Sequence, residues 1–250
     1  MRELDAAGLA GRDDPMLRHH VDAAGVTRAW AAGGATVVEH AVAWGDSPPG
    51  ALALLGLGPA ADLDPLLAAV AGAGADPWRL VVEQTSADAV PAAWRFAPSH
   101  AWHWMLTRTP PAPDGAAADV EVVEVTGRTA EVDVVLDAVQ RTSFVGGASA
   151  VETWLGVEGP DGGLLAVGAL VRRPDGTGQL RGITTLPGHT GRGLATAVSA
   201  ALTRRALEHG TGVATLGVFT DNGRAVRVYE RLGYRVGHTL VAGRTGEPSA

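Results

Sequence analysis

The chain has 250 residues, a formal net charge of −7 and no cysteine, and 46% of its residues are hydrophobic. That length allows one large or two small domains, and the acidic balance argues against nucleic acid as a partner. The absence of cysteine excludes disulfides, thiolate metal sites and a cysteine acyl-enzyme. No apolar run reaches the length of a membrane span, and Arg2, Glu3 and Asp5 interrupt any signal-peptide core. The expectation is a cytoplasmic protein with no membrane partner. All 20 basic residues are arginines and Ile183 is the only isoleucine, a bias expected of a GC-rich bacterial genome.

In chain order, Pro15 to Ala32 reads as a helix. Thr36 to Trp44 and Ala51 to Leu57 read as strands, and Asp62 to Ala73 as a helix. Trp78 to Glu83 and Trp102 to Thr107 read as further strands. In the last, Trp102 and Trp104 share one face and His103 takes the other. The pair His100 and His103 has no second ligand pair at metal-binding spacing, so packing is the reading and no metal is expected. The run Pro110-Pro-Ala-Pro-Asp-Gly-Ala-Ala-Ala118 reads as a linker. Before it lie 7 arginines against 13 acids, a net of −6, together with six of the seven tryptophans; after it lie 13 arginines against 14 acids, a net of −1. The division expected is 1–110, a linker at 111–118, and 119–250.

The second half starts with a strand at Val120 to Val125 and a helix from Thr129 to Thr142. Strands at Thr153 to Glu158 and Leu164 to Arg172 are joined by the turn Gly159-Pro-Asp-Gly-Gly163. Gly178 to Leu186 is the next strand. Leu194 to His209 is an amphipathic helix with apolar residues at Leu194, Val198, Ala201, Leu202 and Ala206, ended by Gly210. Strand Val213 to Val218, helix Gly223 to Leu232 and an antiparallel strand pair within Tyr234 to Arg244 complete the unit.

Between the strand ending near Leu186 and the helix at Leu194 lies Pro187-Gly-His-Thr-Gly-Arg-Gly193. Strand, glycine loop and helix in that order gather backbone N–H groups at a helix N-terminus, a site suited to a diphosphate. Gly191 and Gly193 admit close approach of a ligand, and Arg192 adds positive charge. A Walker A loop needs a lysine, which the chain lacks; Gly191-Arg-Gly193-Leu-Ala-Thr196 lacks the third glycine of a dinucleotide fingerprint.

The loop resembles motif A of the GCN5-related N-acetyltransferases (GNAT family), Arg/Gln-x-x-Gly-x-Gly/Ala. Gly193 and Ala195 fill the small positions, and Thr190 stands where Arg or Gln is usual. Leu216 to Tyr234, running strand, Asn222, short helix, Tyr229 and Leu232-Gly-Tyr234, resembles the family's motif B. Asn222 is the only asparagine, and Tyr229 and Tyr234 the only tyrosines. The resemblance implies an α+β fold of three layers, with a mixed, mostly antiparallel sheet and helices on both faces. The first half reads as a degenerate copy of that plan or as an unrelated accessory α/β domain. In it, Gly58-Pro-Ala-Ala-Asp62 is too short and too acidic to hold a diphosphate.

The resemblance also implies acetyl transfer from acetyl-CoA to an amine, without a metal. Backbone groups of Ile183, Thr184 and Thr185 would pair with the pantetheine arm. The loop Gly191, Arg192, Gly193, Leu194, Ala195 and Thr196 would take the diphosphate, Asn222 would fix the cofactor or cap its helix, and Tyr229 would protonate the leaving thiolate. Glu152, His189 and Asp221 are the readable candidates for a general base, and none is assigned. A small-molecule amine is the expected acceptor rather than a protein. A CoA-binding sensor without turnover is the alternative.

Overall fold

The computed structural model describes residues 1–42, 47–112, 115–139 and 151–246. The ends of the expected strand at Trp44 and of the helix at Thr142 lie outside these. The chain divides into two compact units: Met1–Trp104 with Phe219–Asp221 and Gly237–Ala250, and Met105–Val218 with Asn222–Val236.

The first unit opens with a two-residue strand β1 (Arg2–Glu3) and two short helices, α1 (Ala6–Ala10) and α2 (Pro15–His19). Asp14 caps α2 by accepting from the N–H groups of Met16 and Leu17, with Pro15 at the first helical position. The expected single helix from Pro15 to Ala32 is not formed. After α2 comes a 3₁₀ turn at Ala23–Gly25, and β2 (Val26–Ala32) pairs antiparallel with β3 (Ala35–Ala41). Poor helix formers at Gly25, Val26 and Thr27 weaken the helix. The cross-strand pair of Arg28 with the buried Glu39, at 2.7 Å, then favours the sheet. β4 (Leu52–Leu57) continues the antiparallel run, α3 (Ala60–Gly72) crosses over, and β5 (Arg79–Glu83) returns parallel to β4. Leu63, Leu66, Leu67 and Val70 of α3 pack on Trp30, Val37, Leu54 and Leu80. β6 (Ala97–Thr107) follows.

The second unit repeats that order. After a short helical turn α4 (Gly115–Ala118) come β7 (Val123–Glu124), shorter than expected, and α5 (Thr129–Asp137). β8 (Val151–Glu158), β9 (Leu164–Arg172) and β10 (Gly178–Thr185) run antiparallel. α6 (Leu194–Glu208) crosses over to β11 (Ala214–Phe219), which is parallel to β10, and α7 (Gly223–Arg231) follows. The order in this unit is β11-β10-β9-β8-β7. Ala166 and Leu170 of β9 join the core under α6 and α7, while Val167 joins the one under α5, so helices cover both faces. The mixed, mostly antiparallel α+β architecture expected from the sequence is the one observed.

The last strand, β12 (Arg235–Arg244), is a single strand and not the expected antiparallel pair within Tyr234 to Arg244. Its residues from Gly237 belong to the first unit, where it lies antiparallel to β5 and completes the order β1-β2-β3-β4-β5-β12-β6. The compact units therefore do not follow a linear cut at 111–118. A partner more than 150 residues away in sequence is invisible to local patterning.

His238 on β12 ties this strand to the rest of its unit. Its Nδ1 meets Glu83 of β5 and its Nε2 lies 3.3 Å from Asp14 Oδ1. Burial alone would lower the pKa of His238, but hydrogen bonds to Asp14 and Glu83 and their negative charges raise it to about 9. Burial likewise favours the neutral form of Asp14, and the bond to His238 outweighs it, leaving that carboxyl below its usual range. A raised histidine pKa stabilises the fold fully below the unfolded value, about 6.5, and loses that contribution as pH rises through the folded value. Unfolding followed by tryptophan fluorescence should therefore show declining stability from about pH 6.5 to 9. His238→Gln should start lower at pH 6 and show no decline across that window. An unchanged slope in the variant would place the titration elsewhere.

Candidate functional site

The second unit encloses a cavity of about 890 Å³ between β10, the loop after it, and helices α6 and α7. Three features of the backbone make it.

The first is a break in β10. Arg181 pairs with Ala169 and Thr184 with Val167, so Gly182 and Ile183 together oppose Gly168. This is a β-bulge, and Gly182 has φ +60°. On the other side, the parallel ladder with β11 runs only from Gly178 to Leu180. The two strands splay beyond it, and Ile183, Thr184 and Thr185 line the cavity. Gly168 makes the bulge possible. A Cβ there would stand 2.4 Å from Ile183 Cδ1 and 2.9 Å from side-chain carbons of Leu202 and Val198. Gly168→Val should cost about 1–3 kcal/mol of stability by overpacking. It should also weaken ligand binding in the cavity. A variant with wild-type melting would refute the packing argument.

The second feature is the loop. Gly188, Gly191 and Gly193 have φ of +83°, +84° and +79°, a region that L side chains rarely enter. Gly193 is the N-cap of α6 and supplies no side-chain cap. The first-turn N–H groups of Leu194, Ala195 and Thr196 thus lie at the cavity wall without a side-chain acceptor, at the positive end of a 15-residue helix. The equivalent turn of the first unit is built otherwise. Asp62, in the first turn of α3, accepts from Gly34 N at 2.8 Å. A Cβ on Gly58 would stand 2.7 Å from the Ala35 Cα, so that turn is packed tightly against its own sheet.

The third feature is α7. Asn222 caps it, its Oδ1 accepting from Ala225 N at 3.2 Å, and it lines the cavity as well. Arg224, Arg227 and Arg231 recur at helical spacing along the cavity. A Cβ on Gly191 would stand 3.3 Å from the Arg224 guanidinium, which places that charge at the glycine loop. Tyr229 is buried, lines the cavity, and stands with its ring centroid 5.9 Å from that of Tyr234. Burial pushes its phenol up to about 12, opposed by the nearby Ser199 hydroxyl. Tyr229 is therefore a neutral phenol at physiological pH, able to give a proton.

Of the residues singled out from the sequence, the structure brings Ile183, Thr184, Thr185, Gly191, Gly193, Leu194, Ala195, Thr196, Asn222 and Tyr229 to this one cavity. Arg192 is the departure. Its guanidinium meets His189 Nδ1 at 3.0 Å and it is not a lining residue; Arg224 supplies the lining charge instead. Sequence reasoning missed Ser199, Arg227, Val228 and Arg231, although the 3- and 4-residue spacing from Thr196 and Arg224 points to them. Among the base candidates, Glu152 is bound to Arg172 at 2.6 Å and Asp221 is not a lining residue, whereas His189 lines the cavity. In the first unit, His103 pairs with Thr239 at 2.9 Å and His100 lies edge-on to Phe219. No helix among the described residues is long and apolar enough to cross a membrane.

These groups suit a ligand that joins a diphosphate to an extended, amide-bearing arm. An uncapped helix N-terminus with three left-handed glycines and Arg224 can hold a diphosphate, and a strand freed from its neighbour can pair with an amide-bearing arm. Residues 128–234 match the family model described as Acetyltransferase (GNAT) family. No curated protein matches the sequence. Among solved structures, a GCN5-related N-acetyltransferase from Kribbella flavida is similar at TM-score 0.55 and 20% identity, covering 89% of this chain and 90% of its own. One from Sphaerobacter thermophilus is similar at TM-score 0.57 and 17% identity, covering 86% and 78%. A tandem GNAT protein from the clavulanic acid biosynthesis pathway is similar at TM-score 0.51 and 14% identity, covering 98% and 94%. The loop, the splayed strand and the tyrosine-bearing helix all lie within residues 128–234, the segment that is similar to the acetyltransferase (GNAT) family.

Proposed function

We propose that the protein is an acetyl-CoA-dependent N-acetyltransferase with one competent site, in the second unit, acting on a small-molecule amine. The observation that carries this reading is the conjunction, in one cavity, of a freed strand, an uncapped glycine-loop helix terminus and a buried neutral tyrosine. In this reading the loop and Arg224 hold the diphosphate of the donor. The backbone of Ile183 to Thr185 aligns the pantetheine arm, and an N–H of that strand polarises the thioester carbonyl. Tyr229 protonates the sulfur as the amine displaces it. The first unit, whose matching turn carries Asp62 where the second unit has its glycine loop, is a copy without a donor site.

Incubating the full chain with acetyl-CoA, a thiol-detecting reagent and a panel of amines tests this directly. Amine-dependent thiol release with acetylated product supports transfer. Acetyl-CoA binding with no thiol release for any amine favours a sensor or regulatory module, the reading that Thr190 in the motif and the unassigned base keep in play.

A further inference from the structure

We propose that Ser199 is a positioning residue for the proton transfer: its hydroxyl donates to Tyr229 Oη and leaves the phenol proton free to face the cavity. This rests on the acetyl-transfer reading above and adds to it a residue that neither motif contains.

The two tyrosines share a core with α6, which carries two hydroxyls one helical turn apart, at Ser199 and Thr203. Thr203 Oγ1 donates to the Ser199 carbonyl at 2.7 Å, a bond to the residue four positions earlier. Its single proton is thereby used, so in its 2.9 Å contact with Tyr234 Oη it must accept. The Tyr234 phenol proton is committed to Thr203, and Tyr234 cannot serve as the acid. The other pair is arranged differently. Ser199 is fully buried, lines the same cavity as Tyr229, and its Oγ makes no hydrogen bond of standard geometry. Its proton is not spent on the helix backbone, so Ser199 can point it at Tyr229 Oη. A serine that donates fixes the phenol oxygen as acceptor and turns the phenol proton elsewhere, and the cavity is the open direction.

The same hydroxyl serves during the reaction. As the carbon–sulfur bond breaks, its electron pair stays on sulfur, and the Tyr229 proton passes to it. The phenolate left behind is buried, where an unpaired charge is costly, and the Ser199 hydrogen bond stabilises it. The acceptor nitrogen loses one proton as the carbon–nitrogen bond forms, and that proton restores the phenol.

With only two tyrosines in the chain, ¹³C labelling at tyrosine Cζ gives two signals that report each phenol separately. Ser199→Ala should move the Tyr229 signal and leave that of Tyr234, while Thr203→Val should do the reverse. Ser199→Ala gives up only the bond to Tyr229, so it should stay folded and melt close to the wild type. With acetyl-CoA and the amine giving fastest wild-type thiol release, it should lower kcat roughly tenfold with KM for acetyl-CoA unchanged. In a Tyr229→Phe background it should cause no further loss. An unmoved Tyr229 signal, or an equal loss in both backgrounds, would overturn the proposal. Full kcat in Tyr229→Phe would instead remove the proton-donor reading on which it rests. An impaired Tyr229→Phe alongside a fully active Ser199→Ala would overturn the Ser199 assignment alone.

Discussion

Replacing Gly193 by Asp should abolish measurable acetyl-CoA binding while the chain stays folded. Gly193 has φ +79° and opens α6, whose first-turn N–H groups have no side-chain acceptor. Asp tolerates the left-handed region better than most residues, so the fold should survive. Its carboxylate would cap those N–H groups and stand where a diphosphate must sit. Two like charges about 4 Å apart near a surface repel by about 4 kcal/mol, so affinity by calorimetry should fall on the order of 10³-fold. Gly193→Asn, with the same bulk and no charge, should lose less. A folded Gly193→Asp variant with unchanged affinity would remove the loop from the donor site.

Tyr229→Phe should lower kcat by roughly 10²-fold or more, with acetyl-CoA affinity nearly unchanged, the range expected for one general acid. The ring is buried in the α6–α7 core, and phenylalanine preserves that packing. The change removes one hydroxyl from the cavity wall. Steady-state kinetics and calorimetry on the same preparation separate the two effects. Full kcat would mean that the thiolate departs unaided or takes its proton elsewhere.

Much of this was legible in local sequence because the chemistry sits on consecutive residues. The glycine loop, the helix it opens and the Asn222-to-Tyr234 segment each form within one short stretch, and the structure places them around one cavity. What escaped depends on partners distant in sequence. The bulge at Gly182–Ile183 exists because Gly168, on another strand, leaves room for Ile183. Ser199 reads as an ordinary polar residue on a helix until Tyr229, 30 residues on, is seen beside it. β12 resembles half of a hairpin, yet its ladder is with β5. In the first unit, apolar spacing from Pro15 to Ala32 suggested one helix, while pairing of β2 with β3 decided the outcome for Val26–Ala32. Arg192 points back to His189, an orientation that composition does not encode.

The central claim is that the chain holds one donor site, in the second unit, and that the first unit's turn at Asp62 holds none. Titrating acetyl-CoA into the full chain by calorimetry measures this without knowledge of the acceptor. The account predicts one acetyl-CoA per chain, with that single site lost in Gly193→Asp. Two per chain, or one per chain still bound by folded Gly193→Asp, would contradict it.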